Sequence, residues 1–243
     1  MVKKAKELLK RHSLSLEDIK PESGILREKD VLNFLASKNT DVKFPEYQKD
    51  REQVVIFGCG KGSRTVMETL STNQSYQVVG FIVDRADPPE GIDGLPVFNL
   101  PDYEFLKSKE ISTVALAITN SLERLDIFRK LVKSGFKVIN AIHKLAYVSP
   151  TASLGQGNHV KAGAIIDTNS KISDACIIDN NVTIPHDNIV KEGAHLAPGV
   201  TLGSSITIGK NAIVGIGSSI SSGVVVGDFS VVSVGSSVTT NVE

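Results

Sequence analysis

The sequence predicts an α/β plus all-β chain, in which a small parallel α/β sheet precedes a parallel β-helix built from six-residue steps. Two observations predict it: an aliphatic residue at every sixth position through about the last hundred residues, and alternating strand-like and helix-like stretches around a glycine-rich turn before them. They divide the chain into an extension at 1–52, an α/β unit at 53–144 and a repeat unit at 145–243.

The repeat decides the architecture. From Val148 every sixth residue is aliphatic: Leu154, Val160, Ile166, Ile172, Ile178, Ile184, Val190, Leu196, Leu202, Ile208, Val214, Ile220, Val226, Val232 and Val238. Helices and ordinary strands have side-chain periods of 3.6 and 2, so neither produces this pattern. A chain that turns a corner every six residues does. Four residues after each aliphatic a short side chain recurs, such as Ala164, Cys176, Ala194 or Ala212, with Ile206 the bulkiest exception. Three residues after it glycine or asparagine recurs, as in Gly157, Gly163, Asn169, Asn181, Gly193 and Asn211. These residues tolerate positive φ at a corner. Three steps close one coil, so the segment makes about five stacked triangular coils.

In the α/β unit, QVVIFGCGKGS at 53–63 reads as a strand running into a glycine turn and then a helix to about Leu70. Tyr76 to Val83 reads as a second strand ending at Asp84, and DPPEGIDGLP at 87–96 as turn-rich. A helical patch follows near Tyr103 to Lys109, then strand Thr113 to Ile118, helix Ser121 to Gly135 and strand Phe136 to Ile142. Alternation of this kind implies a small Rossmann-like parallel sheet. The turn Gly58-Cys59-Gly60-Lys61-Gly62-Ser63 lacks the third glycine of the G-x-G-x-x-G dinucleotide pattern. Its N–H groups at a helix start still favour a phosphate, and Lys61 adds a full charge. Asp84 is placed to accept a hydrogen bond from a ribose hydroxyl. A tight turn and a surface acid are the plainer alternative.

Residues 1–50 are rich in charge, with short helices expected near Ala5 to His12 and Asp30 to Lys38 and a polar linker from Pro45 to Arg51. They carry no recognisable chemistry. Lys plus Arg and Asp plus Glu each total 27, which leaves no net field to steer the chain onto nucleic acid or an anionic membrane. Cys59 and Cys176 lie far apart without metal or redox spacing. With no signal-like start and no 18-residue apolar run, the expectation is a soluble cytoplasmic chain.

The segments IFGCGKG, FIVD, LAITNSLER, FKVINAIHKLAYVSPTA and VTIPHDNIVKEGAHLAPG resemble those of the hexapeptide-repeat family of sialic-acid O-acetyltransferases and bacillosamine-type UDP-4-amino-sugar N-acetyltransferases. The resemblance covers about residues 53–240. It implies a left-handed β-helix and a homotrimer that binds acetyl-CoA and a nucleotide-sugar at sites between subunits, without a metal. By the same resemblance His186 is the general base, Asp187 orients its ring, and His195 lies beside the thioester. Gly203, Ser204, Gly215, Ile216 and Val234 would line the groove for pantetheine and adenine. Gly58, Cys59, Gly60, Lys61, Asp84, Asn120 and Arg124 would face the nucleotide-sugar. Two departures bear on the substrate: Gly60-Lys61-Gly62 stands where many relatives have G-H-G, and Val83-Asp84 where many have paired acids.

The residues alone support plainer readings beside these. Asp187 falls on the corner position that elsewhere holds Gly or Asn, and His186 on an outward position shared with Gln156, Asn180, Glu192 and Ser204. His159 and His195 share one step position two coils apart, which an exposed stacked pair would explain. The leading functional expectation is N-acetylation of a nucleotide-linked 4-amino sugar, ahead of O-acetylation of a sialic acid or related sugar. A zinc enzyme of the carbonic-anhydrase type fits poorly, since its H-x4-H spacing is absent and His186 and His195 are nine apart. A non-catalytic trimeric binding protein is the remaining class.

Overall fold

The computed structural model describes residues 1–11, 14–21, 24–37, 45–84, 89, 91–99 and 104–243. From 141 onward, two-residue strands recur every six residues and pair in parallel with the strand eighteen residues away, as Ile165↔Thr183 and Ile166↔Ile184. They form the three sheets of a left-handed β-helical prism. Its first face carries Ala141–Ile142, His159–Val160, Ile177–Ile178, His195–Leu196, Ile213–Val214 and Val231–Val232. The second runs from Tyr147–Val148 to Ser237–Val238, and the third from Ser153–Leu154 to Val225–Val226.

The aliphatic of each step points inward because it is the residue with nothing polar to leave in water. From Val160 to Val232 none of these side chains is more than 5% exposed. Full burial of each stabilises by roughly 1.5 to 3 kcal/mol before chain entropy is subtracted. The corner residue of every step from Gly157 to Gly235 has positive φ, including Ala175, Asp187, Ser205 and Phe229, which are neither Gly nor Asn. Stacked coils thus hold a left-handed corner even where the residue disfavours it.

The α/β unit has β1 (Glu52–Phe57), α3 (Lys61–Ser71), β2 (Tyr76–Val83), β3 (Gly91–Ile92), β4 (Leu95–Asn99), α4 (Glu104–Ser108), β5 (Thr113–Leu116), α5 (Ser121–Lys133) and β6 (Lys137–Val138). The extension holds α1 (Lys3–Arg11) and α2 (Glu28–Ser37), which enclose a small cluster of Ala5, Leu9, Ile19, Leu26 and Val31. The expected helix ends at His12 and Lys38, and Tyr103, lie outside the described residues. Sheet order is β3-β4-β2-β1-β5-β6, all parallel except β3 against β4. All four β5 residues are buried, as a parallel strand covered on both sides requires.

Two sequence expectations change here. The segment 87–96 is not only turn: Gly91–Ile92 and Leu95–Asn99 form a hairpin, joined by Asp93 and Gly94 at φ 50° and 79°. The expected strand Phe136 to Ile142 is split. Lys137–Val138 extends the α/β sheet, Ala141–Ile142 starts the prism, and Asn140 between them donates to Gly155 O at 2.7 Å and accepts from Asn158 N at 2.9 Å.

The α/β unit rests on the prism's first face and on the edge between its third and first faces. Ala175, a corner of that edge, belongs to the cluster of Leu116, Leu125, Phe128 and Val138. At Gly157 the fit is tight, since a Cβ would come within 3.0 Å of Phe128 and 3.1 Å of Leu116 and those side chains would have to shift.

Candidate functional site

Three groups of residues make up the candidate site, each positioned by a different part of the fold. The first is a cleft at the C-terminal ends of β1 and β5, where strand order reverses and open α/β sheets bind ligands. After Phe57 the chain turns through Gly58 at φ +113°, where a Cβ would lie 2.8 Å from Ala117 O, so only glycine fits. Gly60 caps α3 without a side chain, which leaves the first N–H groups of that helix and Lys61 at the cleft. The cleft has a volume of about 560 Å³, and its walls include Gly58, Cys59, Gly60, Lys61, Asp84 and Asn120. Asn120 also caps α5, accepting from Glu123 N at 3.0 Å. Glu123, Asp126 and Lys130 join the wall unforeseen; their i, i+3 or i+4 spacing on α5 is the signal that could have found them.

Arg124 is a correction. Its side chain is turned away from the cleft and the residue is 1% exposed, donating to Ala175 O at 2.8 Å, Ile118 O at 3.0 Å, Thr119 O at 2.7 Å and Gly193 O at 2.8 Å. Burial pushes its guanidinium down to about 10, and the four carbonyls from both units hold it. Arg124 is a clamp between the α/β unit and the prism. Arg124→Met is therefore expected to cost about 3 kcal/mol or more, because buried carbonyls lose their donors. A denaturant melt checks this; a raised sugar KM with an unchanged melt would instead place the residue on substrate.

The second group is His186 and Asp187, on the edge between the second and third faces. Stacked coils put Thr168, His186, Ser204 and Ser222 in one column there, eighteen residues apart. Asp187 takes the left-handed corner at φ 60°, which turns its carboxylate onto the ring: Oδ2 lies 2.8 Å from His186 Nδ1. The corner and the hydrogen bond to the ring coexist in this residue. The hydrogen bond with His186 holds the Asp187 carboxyl below its ordinary value. A carboxylate only accepts, so Nδ1 carries the proton and the Nε2 lone pair is free to accept from Ser204 Oγ at 2.9 Å. The ring is half exposed, at 57% of its side chain. The ring therefore offers a lone pair along the exposed edge, where Ser204 meets it.

The third group lies where the first face meets the α/β unit, and here the exposed-pair reading of His159 and His195 is corrected. His159 is 5% exposed, and its Nε2 lies 3.0 Å from Thr69 Oγ1 of α3. Burial pushes its imidazole down to about 3, so it is neutral at physiological pH. His195 Nε2 is enclosed, lies 3.6 Å from Asp179 Oδ2, and has no hydrogen-bond partner among the described residues. Asp179 also pairs with Lys161 at 2.8 Å. Between about 6.5 and about 3 the unfolded chain carries a proton at His159 that the folded one does not. Stability should then fall with pH across that window by about 1.4 kcal/mol per unit. Melting midpoints from pH 7 to 5 check this: His159→Gln is expected to flatten the slope.

One chain does not bring these groups together. His186 is on the edge opposite the first face, whereas His195 and the cleft lie on the side that the α/β unit covers. The residues expected to hold the acyl donor divide in the same way. Gly203 and Ser204 lie in the corners of the His186 edge, and Gly215, Ile216 and Val234 in those between the first and second faces. The two glycines have a packing reason: a Cβ on Gly203 or Gly215 would meet the next coil at 2.5 Å or 2.6 Å. Ile216 and Val234, one coil apart, are 53% and 70% exposed and form an apolar ridge. Among the described residues no group of three His, Cys, Asp or Glu could hold a metal ion, and no helix is long and apolar enough to cross a membrane.

Comparison with known proteins follows the same outline. Residues 53–131 match the model of the PglD N-terminal domain family. A variant of perosamine N-acetyltransferase from Caulobacter crescentus, solved with CoA and GDP-perosamine, superposes with a TM-score of 0.74 at 31% identity, over 78% of this chain and 90% of that one. The acetyltransferase domain of PglB from Neisseria gonorrhoeae FA1090, solved with acetyl coenzyme A, gives 0.72 at 25% identity, over 79% and 93%. Bifunctional protein GlmU from Alkaliphilus oremlandii (strain OhILAs) is 28% identical over 113 residues, which is 46% of this chain and 24% of that protein's length.

Proposed function

The chain belongs to the hexapeptide-repeat sugar N-acetyltransferase family, and from that premise we propose that it acetylates a nucleotide-linked 4-amino sugar at a site shared between copies. It is an acyltransferase that moves an acetyl group from acetyl-CoA to the amino group of a sugar. In the finer reading, residues 53–144 bind the nucleotide-sugar, with Lys61 and the α3 N–H groups toward phosphate and Asp84 toward ribose. The amine attacks the thioester carbon, forming the C–N bond as the carbonyl electron pair moves to oxygen. The carbonyl then re-forms, the C–S bond breaks, and the CoA thiolate leaves. His186 Nε2 takes the amine's proton and returns one to the thiolate, while Asp187 keeps Nδ1 protonated and the cationic ring stabilised. His195 lies beside the developing oxyanion.

One observation carries the shared site: the base and the cleft lie on opposite sides of a single prism. A second copy that sets its His186 edge against this chain's first–second edge closes the distance, and three copies related by a threefold axis give each His186 edge such a partner. The apolar ridge of Ile216 and Val234 suits pantetheine lying in that seam. Cytoplasmic residence fits both substrates, an acyl-CoA and a nucleotide-sugar. Thiol release from acetyl-CoA, measured over nucleotide-linked amino and hydroxyl sugars, tests the reading. Release is expected with a 4-amino sugar; release only with hydroxyl sugars, or with none, contradicts it.

A further inference from the structure

We propose that Asp179 is the residue that makes the site select an amine over a hydroxyl, by accepting the N–H that the base does not take. The inference rests on the acetyl-transfer reading above and adds the recognition of the nucleophile. Asp179 lies in a cavity of about 80 Å³ between the first face and the α/β unit. Gly62, Ala117, Ile118 and Thr119 line both this cavity and the sugar cleft, so the cavity adjoins the cleft at its prism end.

The carboxylate is fixed in place. Oδ1 accepts from Asn180 N at 2.8 Å, and Oδ2 accepts from Lys161 Nζ at 2.8 Å. Burial alone would favour the neutral acid, but the contacts with His195, Lys161 and the Asn180 N–H override it and hold the carboxyl below its ordinary value. A carboxylate offers about four acceptor positions, and these two donors occupy two of them. His195 Nε2, at 3.6 Å, is too far to occupy a third. The carboxylate therefore keeps acceptor capacity on a wall of the cavity, where a donor is worth more than in open water.

Counting donors turns this into specificity. A neutral primary amine has two N–H groups and one lone pair. The lone pair attacks the thioester, one N–H goes to His186, and the other goes to Asp179. A hydroxyl has one O–H, which the base must take, and its spare lone pair is left facing a carboxylate. That is an unmatched and repulsive contact.

Calorimetric titration of the full-length protein with GDP-perosamine, a UDP-linked 4-amino sugar, and the hydroxyl counterpart of each tests the proposal. The wild type is expected to bind its amino sugar at least about tenfold more tightly than the hydroxyl counterpart. Asp179→Asn, which keeps the shape, is expected to lose that preference mainly through weaker binding of the amino sugar, with acetyl-CoA binding unchanged. Equal binding of the two sugars by the wild type overturns the proposal and needs no variant. So does an Asp179→Asn protein that keeps the preference, or that weakens both sugars alike, as a purely structural residue would. Absence of thiol release by the wild type contradicts the acetyl-transfer reading and leaves the binding preference to be judged by itself.

Discussion

His186→Ala is expected to lower kcat for acetyl transfer by about 10²- to 10⁴-fold while the protein still binds acetyl-CoA and melts like the wild type. The ring is half exposed on a prism edge and outside the core, so its removal leaves no cavity. On the proposed mechanism, what disappears is the proton acceptor. Asp187 fixes the proton on Nδ1 at 2.8 Å, and Ser204 marks the direction of the Nε2 lone pair at 2.9 Å. An amine approaching Nε2 displaces that hydroxyl. Asp187→Asn is expected to lose less than the histidine variant, since an amide can still hold the ring but cannot stabilise its cation. Wild-type turnover by His186→Ala would remove the base from the account.

Ile184→Asp is expected to unfold the prism. Ile184 is 0% exposed and stacks on Ile166 one coil below, in a cluster that runs from Val160 to Val232. A carboxylate there has no partner, and burying one costs several kcal/mol, comparable to the roughly 5 to 15 kcal/mol of a whole domain's stability. Each coil is held by its neighbours, so the damage does not stay local. Loss of the β signal and of a cooperative circular-dichroism melt is the expected result. A normal melt would mean that the six-residue ladder does not line the interior.

The prism was legible because each step repeats one constraint, so the inward aliphatic and the left-handed corner are written fourteen or more times along the chain. The glycine turn was legible through residue type, since a backbone position that admits only glycine, as Gly58 against Ala117 O does, shows itself as a glycine. The docking of the two units was not legible. Arg124 meets carbonyls 51 and 69 residues away, and a contact of that span leaves no pattern in sequence. On its own helix Arg124 looks like any solvated cation. His159 reads as an outward residue of its strand, and only the arrival of α3 buries it. The hairpin at 91–99 hid behind its own turn, because strands of two and five residues give too little alternation beside Asp93-Gly94.

The claim on which the rest depends is that His186 of one copy serves the cleft of another. Mixing two variants, each expected to be inactive alone, tests it directly: His186→Ala, which lacks the proposed base, and Asp84→Ala, which lacks a cleft residue. In mixed oligomers some sites join an intact His186 to an intact cleft, about a quarter of them if copies mix at random in equal amounts. Recovery of thiol release toward that fraction is the expected result. Oligomers that mix yet stay inactive would contradict it, and would return base and cleft to a single chain.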